Sequence, residues 1–145
     1  MTADILLDTN ILVYAHDFSE PEKQDKALAT LDRVINAGTG VITTQVLAEF
    51  FTVVTKRIAR PLGIDEAASQ VGRLARSLPV LPVTTFVVLE ALRGVQAYRF
   101  AFWDAQIWAA ARMSQISLVL SEDFNSGAAI EGVRFENPFQ PGFEL

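Results

Sequence analysis

The chain has 145 residues, 50% of them hydrophobic, which suits one domain with its own core and excludes a disordered segment. It has no cysteine and one histidine, His16, so disulfides, thiolate metal sites and multi-histidine zinc centres are excluded within one chain. Any bound metal must therefore be held mainly by oxygen, and a net charge of −5 with 12 basic residues is not that of a protein wrapped around nucleic acid.

The start, Met1-Thr2-Ala3-Asp4, lacks the basic n-region of a signal peptide, and no apolar run approaches a membrane span. A soluble, cytoplasmic protein with no membrane contact is expected. Residues 4–7 read as a first strand and 10–16 as a short helix. Ser19-Glu20-Pro21-Glu22 opens a second helix, whose stripe Leu28, Leu31, Val34 and Ile35 stops near Gly38. Val41-Ile42 is a short strand, and Thr43 or Thr44 caps a helix running to about Ile58. After the break Pro61-Leu62-Gly63, a weaker helix spans about Asp65 to Ser77, interrupted by Gly72. Val80-Leu81 is a strand framed by Pro79 and Pro82, and Thr84 or Thr85 opens a helix reaching about Ala97. Phe102 to Met113 is an alanine-rich helix, Leu118-Val119-Leu120 a buried strand, and Val133-Arg134-Phe135 a last edge strand. Short apolar strands separated by helices predict an α/β fold, a parallel sheet with helices on both faces. The chain reads as one domain over residues 1–145, with its core over about 4–136 and an irregular tail from 137 to 145.

Four acids stand out by context. Asp8 follows the apolar run Ile5-Leu6-Leu7 at once, at the strand edge where α/β folds place ligand chemistry. Asn10, one residue beyond Thr9, can offer an amide oxygen or orient a carboxylate. Asp123 repeats this placement after Leu118-Val119-Leu120, with Ser121 and Glu122 as supporting residues. Glu49 lies on a helix with apolar company on both sides, and Asp104 sits early in Phe102-Trp103-Asp104-Ala105. Each residue also has a plainer use. Asp8 and Asn10 suit a helix N-cap, Glu49 a polar stripe with Gln45, Thr52 and Lys56, Asp104 a helix dipole, and Asp123 a polar turn. Together the four suggest an oxygen-ligand site for a hard divalent cation, and so metal-assisted hydrolysis of a phosphodiester. Four crowded carboxylates also repel one another, so at least one should have a raised pKa without metal.

Asp8-Thr9-Asn10 after a first strand resembles the opening of a PIN domain. Glu49, Asp104 and Ser121-Glu122-Asp123-Phe124 match that family's remaining acidic landmarks in order, over about residues 4–136, and the compact size is similar to the VapC type of toxin. The resemblance implies a three-layer α/β/α fold with four to five parallel strands. It also implies a ribonuclease using Mg²⁺ or Mn²⁺, with Asp8, Glu49, Asp104 and Asp123 as its catalytic and metal-binding acids. As partners it implies an RNA substrate, a cognate antitoxin and a second copy in a homodimer. Many relatives carry a further acid shortly after the last one, where this chain has Phe124-Asn125-Ser126-Gly127, which leaves Glu122 as an alternative to Asp123.

The basic residues that would hold RNA are few. Arg93 and Arg99 flank the approach to Asp104, while Lys56, Arg57 and Arg60, and Arg73 with Arg76, read as surface clusters. Trp103 and Trp108 are expected in the core, unless one exposed indole stacks a base. A phosphatase with a nucleophilic aspartate is disfavoured because Asn10 occupies the place of its second aspartate. A receiver domain is rejected because no lysine follows Lys56. The non-enzyme alternative is an α/β binding module that docks a basic peptide or protein.

Overall fold

The computed structural model describes residues 4–145; Met1-Thr2-Ala3, on which the signal-peptide expectation rests, lie outside them. Twelve elements follow in chain order among the described residues: β1 (Ile5–Leu7), α1 (Thr9–Tyr14), α2 (Pro21–Ala37), β2 (Gly40–Thr43), α3 (Thr44–Lys56), α4 (Ile64–Ser77), β3 (Val80–Leu81), α5 (Thr85–Tyr98), α6 (Phe102–Met113), β4 (Leu118–Leu120), β5 (Ala129–Ile130) and β6 (Val133–Glu136).

Local chemistry sets most of these boundaries. Thr43 and Thr84 cap α3 and α5 by accepting from the amides of Val46 and Val87. Pro21 starts α2, and Gly38 ends it in the left-handed conformation at φ 70°. The strands are too short to be stable alone and depend on their neighbours.

The sheet order is β3-β2-β1-β4-β6-β5, parallel from β3 to β6 with β5 antiparallel at the edge. The mixed α/β architecture with a mostly parallel central sheet agrees with the expected class. Leu6 and Leu7 point to opposite faces of β1 and both are fully buried, so helices cover both sides of the sheet. One expectation is corrected. The strand at Val133–Glu136 is not the sheet edge, because β5 pairs outside it across the turn Glu131-Gly132, both at positive φ. Two residues, Ala129 and Ile130, give too little alternation to be seen as a strand.

The topology places a crevice. From β1 the chain moves outward through β2 to β3, then returns to pair β4 on the other side of β1. The ends of β1 and β4 are level, with Leu7 opposite Leu120, and the strand order reverses there. Open α/β sheets bind ligands at such a switch point. The helix pair α5 and α6 packs closely at Gly94, where an added Cβ would lie 2.7 Å from the Trp108 ring. The segment 137–145 forms no helix or strand, though Phe139, Phe143 and Leu145 pack against the core.

Candidate functional site

Asp8 leaves β1 with its backbone amide bonded to the Leu120 carbonyl at 3.0 Å, so the register of β1 on β4 sets its height. Its side chain caps α1 by accepting from the Thr9 amide at 2.7 Å. The other oxygen, Oδ2, accepts from Ser121 Oγ at 2.7 Å, which joins the ends of the two strands. Ser121 Oγ in turn accepts from the Asp123 amide at 3.0 Å and from Asn10 Nδ2 at 3.4 Å. Asn10 Oδ1 accepts from the Glu122 amide at 3.2 Å, so Asn10 ties the turn after β4 to α1. Helix α6 brings Asp104 from its first turn. One carboxylate oxygen from each of Asp8, Asp104 and Asp123 lies within 4.8 Å of the others.

Glu49 stands beside this triad. Its Oε2 accepts from Thr9 Oγ1 at 2.7 Å and its Oε1 from Gln45 Nε2 at 3.0 Å. It is not paired with Lys56. A cleft of about 690 Å³ opens above the acids, lined among others by Asp8, Glu49, Asp104 and Asp123.

A sequence profile matches most of the chain. The PIN domain profile covers residues 5–127. The chain belongs to the PIN domain family. Its fold is similar to that of VapC20 from Mycobacterium tuberculosis, a sarcin-ricin loop cleaving toxin. The TM-score is 0.65 at 21% identity, over 90% of this chain and 99% of that one. It is similar to a chain of a toxin-antitoxin complex from Klebsiella pneumoniae, with TM-score 0.64 and 17% identity over 93% and 98% of the two chains. DNA-bound VapBC from Salmonella typhimurium gives TM-score 0.65 and 18% identity over 94% and 99%. No curated protein sequence matches.

The acids of this PIN domain repel one another. Burial pushes the Asp8 carboxyl up to about 7, against the hydrogen bonds from Ser121 and Thr9; the charges of Asp123 and Asp104 add to the rise. Burial also raises Asp104, helped by the charges of Asp123 and Glu49. A cluster of oxygen donors that resists ionisation fits a hard divalent cation, which would offset the repulsion.

Other residues lie elsewhere. Glu122 turns away from the triad and accepts from Tyr14 Oη and Lys23 Nζ, so Asp123 alone of the two faces the cluster. Neither Arg93 nor Arg99 lines the cleft. Arg93 is held by Glu90 and Glu131 over the Trp108 ring, and the exposed Arg99 ends α5 at φ 62°. Hydrogen bonds from Arg93 and Tyr98 lower Glu131 to about 2. The cation on the cleft wall is instead Arg57. Trp108 is buried as expected, but Trp103 is 60% exposed at the cleft.

Thr9, Gln45 and Gln106 were not singled out by sequence. Gln45 belongs to the buried side of α3 rather than to a solvated stripe, and it bonds both Glu49 and Gln106. The available signal was Gln106 itself, a lone amide within the apolar run Ala105 to Ala111. Among the described residues no helix is long and apolar enough to cross a membrane.

Proposed function

We propose that this PIN domain is a divalent-metal-dependent endoribonuclease and the toxin of a toxin-antitoxin pair. The observation that carries the reading is the convergence of Asp8, Asp104 and Asp123, from two strand ends and a helix start, within 4.8 Å at a topological switch point. Asp8, Asp104 and Asp123 would hold Mg²⁺ or Mn²⁺, with Glu49 as the fourth acid of the site. When bound, the ion supplies activation of water and neutralises charge on the phosphoryl oxygens. The chain's own residues do the rest. Ser121 and Thr9 fix Asp8 by donating one hydrogen bond to each of its oxygens. Asn10 and Ser121 hold the turn that presents Asp123. Glu49 is held between Thr9 and Gln45 at the cleft wall, where it can orient water beside a bound phosphate. Arg57 offers that wall a positive charge for the RNA backbone.

The chain is proposed to act as a single nuclease domain in the cytoplasm, as a homodimer restrained by a cognate antitoxin. The folds it resembles include chains of toxin-antitoxin complexes. The test is cleavage of a mixed RNA pool with Mg²⁺ or Mn²⁺ by the wild type and by Asp8→Asn. Metal-dependent cleavage that disappears in the variant supports the proposal. A folded wild type that neither binds metal nor cleaves points to the module that docks a basic partner.

A further inference from the structure

Two buried amides bond to each other in the wall of the acidic cleft. Gln45, in the first turn of α3, is 8% exposed, and Gln106, within α6, is 5% exposed. Gln45 Nε2 donates to Glu49 Oε1 at 3.0 Å and to the Trp103 carbonyl at 3.1 Å. Gln45 Oε1 accepts from Gln106 Nε2 at 2.8 Å. The chemistry of the partners decides which way the Gln45 amide points. A carboxylate and a peptide carbonyl only accept, so the NH₂ end must face both. The oxygen end then needs a donor, and Gln106 supplies it. A reversed Gln45 would set its oxygen against two acceptors in a buried place, where unmet polar groups are most costly.

We infer that Gln106 and Gln45 form a relay that positions Glu49 beside the three aspartates, an inference that rests on the proposed metal site. Glu49 needs such a tie. It is a long, partly exposed side chain, and its charge lies close enough to Asp104 to help raise that carboxyl, so repulsion favours its swing into solvent. Thr9 holds one of its oxygens through a hydroxyl that is free to rotate. Gln45 holds the other, and its second N–H grips the residue before Asp104. A single amide therefore links two acids that arrive on different helices. Gln106 makes that amide face the right way. Gln106 lines the same cleft as the acids, and a buried amide is tolerated there only through its hydrogen bonds.

The test is a cycle of Gln106→Leu in the wild type and in Glu49→Ala. Mn²⁺ binding is read by the electron paramagnetic resonance of the free ion, and RNA cleavage is read at saturating Mn²⁺. In the wild type, Gln106→Leu is expected to weaken Mn²⁺ binding roughly tenfold, the lower end for partners that orient metal ligands. It should also lower kcat, with KM for RNA unchanged. In the Glu49→Ala background the same change should cost clearly less in both quantities, the remainder acting through the Gln45 bond to the Trp103 carbonyl. Equal losses in both backgrounds, no loss in the wild type, or a wild type that binds no Mn²⁺ overturns the relay. Gln45→Leu, put through the same cycle, replaces Gln106→Leu if that chain does not fold. A wild type that shows the coupling in Mn²⁺ binding but cleaves no RNA sustains the relay and refutes the ribonuclease reading.

Discussion

Replacing Asp8 with asparagine should stabilise the metal-free protein, and do so more at alkaline than at acidic pH. Burial pushes the Asp8 carboxyl from 3.8 up to about 7, so between those values the folded chain holds a proton that the unfolded chain has released. Stability is therefore highest below the unfolded value and falls as pH rises, until the loss is complete above about 7. At 1.36 kcal/mol per pH unit the full loss is about 4 kcal/mol, of which about 2.5 kcal/mol develops between pH 5 and pH 8. Asparagine does not titrate, so the variant lacks this slope. It has one side-chain oxygen where Asp8 accepts from both Thr9 and Ser121, and losing a neutral hydrogen bond costs about 1 kcal/mol. The net gain at pH 8 is then about 3 kcal/mol, a rise in melting temperature of about 5–10 °C for a chain of this size. Thermal melts followed by circular dichroism in a chelator, at pH 5 and pH 8, read both quantities. If the difference between Asp8→Asn and the wild type is the same at the two pH values, Asp8 is not strained by burial.

Saturating Mg²⁺ or Mn²⁺ should raise the melting temperature of the wild type, and more at pH 8 than at pH 5, because binding requires the carboxylates to lose their protons. A melt that does not respond to either ion refutes the assignment of the acids, and removal of the metal by a chelator should reverse the gain. Ser121→Ala takes the donor from Asp8 Oδ2 and the acceptor from the Asp123 amide, and should weaken Mn²⁺ binding by roughly tenfold in a titration. Glu122→Gln disturbs a partly exposed pair with Lys23, worth less than about 1 kcal/mol, and the bond from Tyr14, both turned away from the triad; it should keep its RNA cleavage, whereas Asp123→Asn should lose it. Gly94→Ala would drive a methyl group to 2.7 Å from the Trp108 ring and should cost about 1–3 kcal/mol in urea unfolding.

The order of helices and strands could be read from local chemistry because their ends are set by neighbouring residues. Thr43 and Thr84 cap helices through their own hydroxyls, and Gly38 and Pro21 act through their own backbones. Asp8 and Asp123 were visible for a similar reason, since each stands just past an apolar run that must be a buried strand. Other features depend on contacts between residues far apart in the chain. Glu122 and Asp123 are adjacent, and their roles separate only when Tyr14 and Lys23 draw Glu122 away. Arg93 lies near Asp104 in sequence but is bound to Glu131, while Arg57, from a different helix, reaches the cleft.

The sequence by itself determined the class of fold and pointed to the acids on which an oxygen-ligand site is proposed, because residue type and spacing dictate burial, capping and ligand preference. Only the tertiary structure decided that β4 returns beside β1, that Trp103 faces the cleft, and that Gln106 steadies Gln45 and through it Glu49. Those outcomes follow from pairing and packing across 40 to more than 100 residues, where no local pattern carries the information.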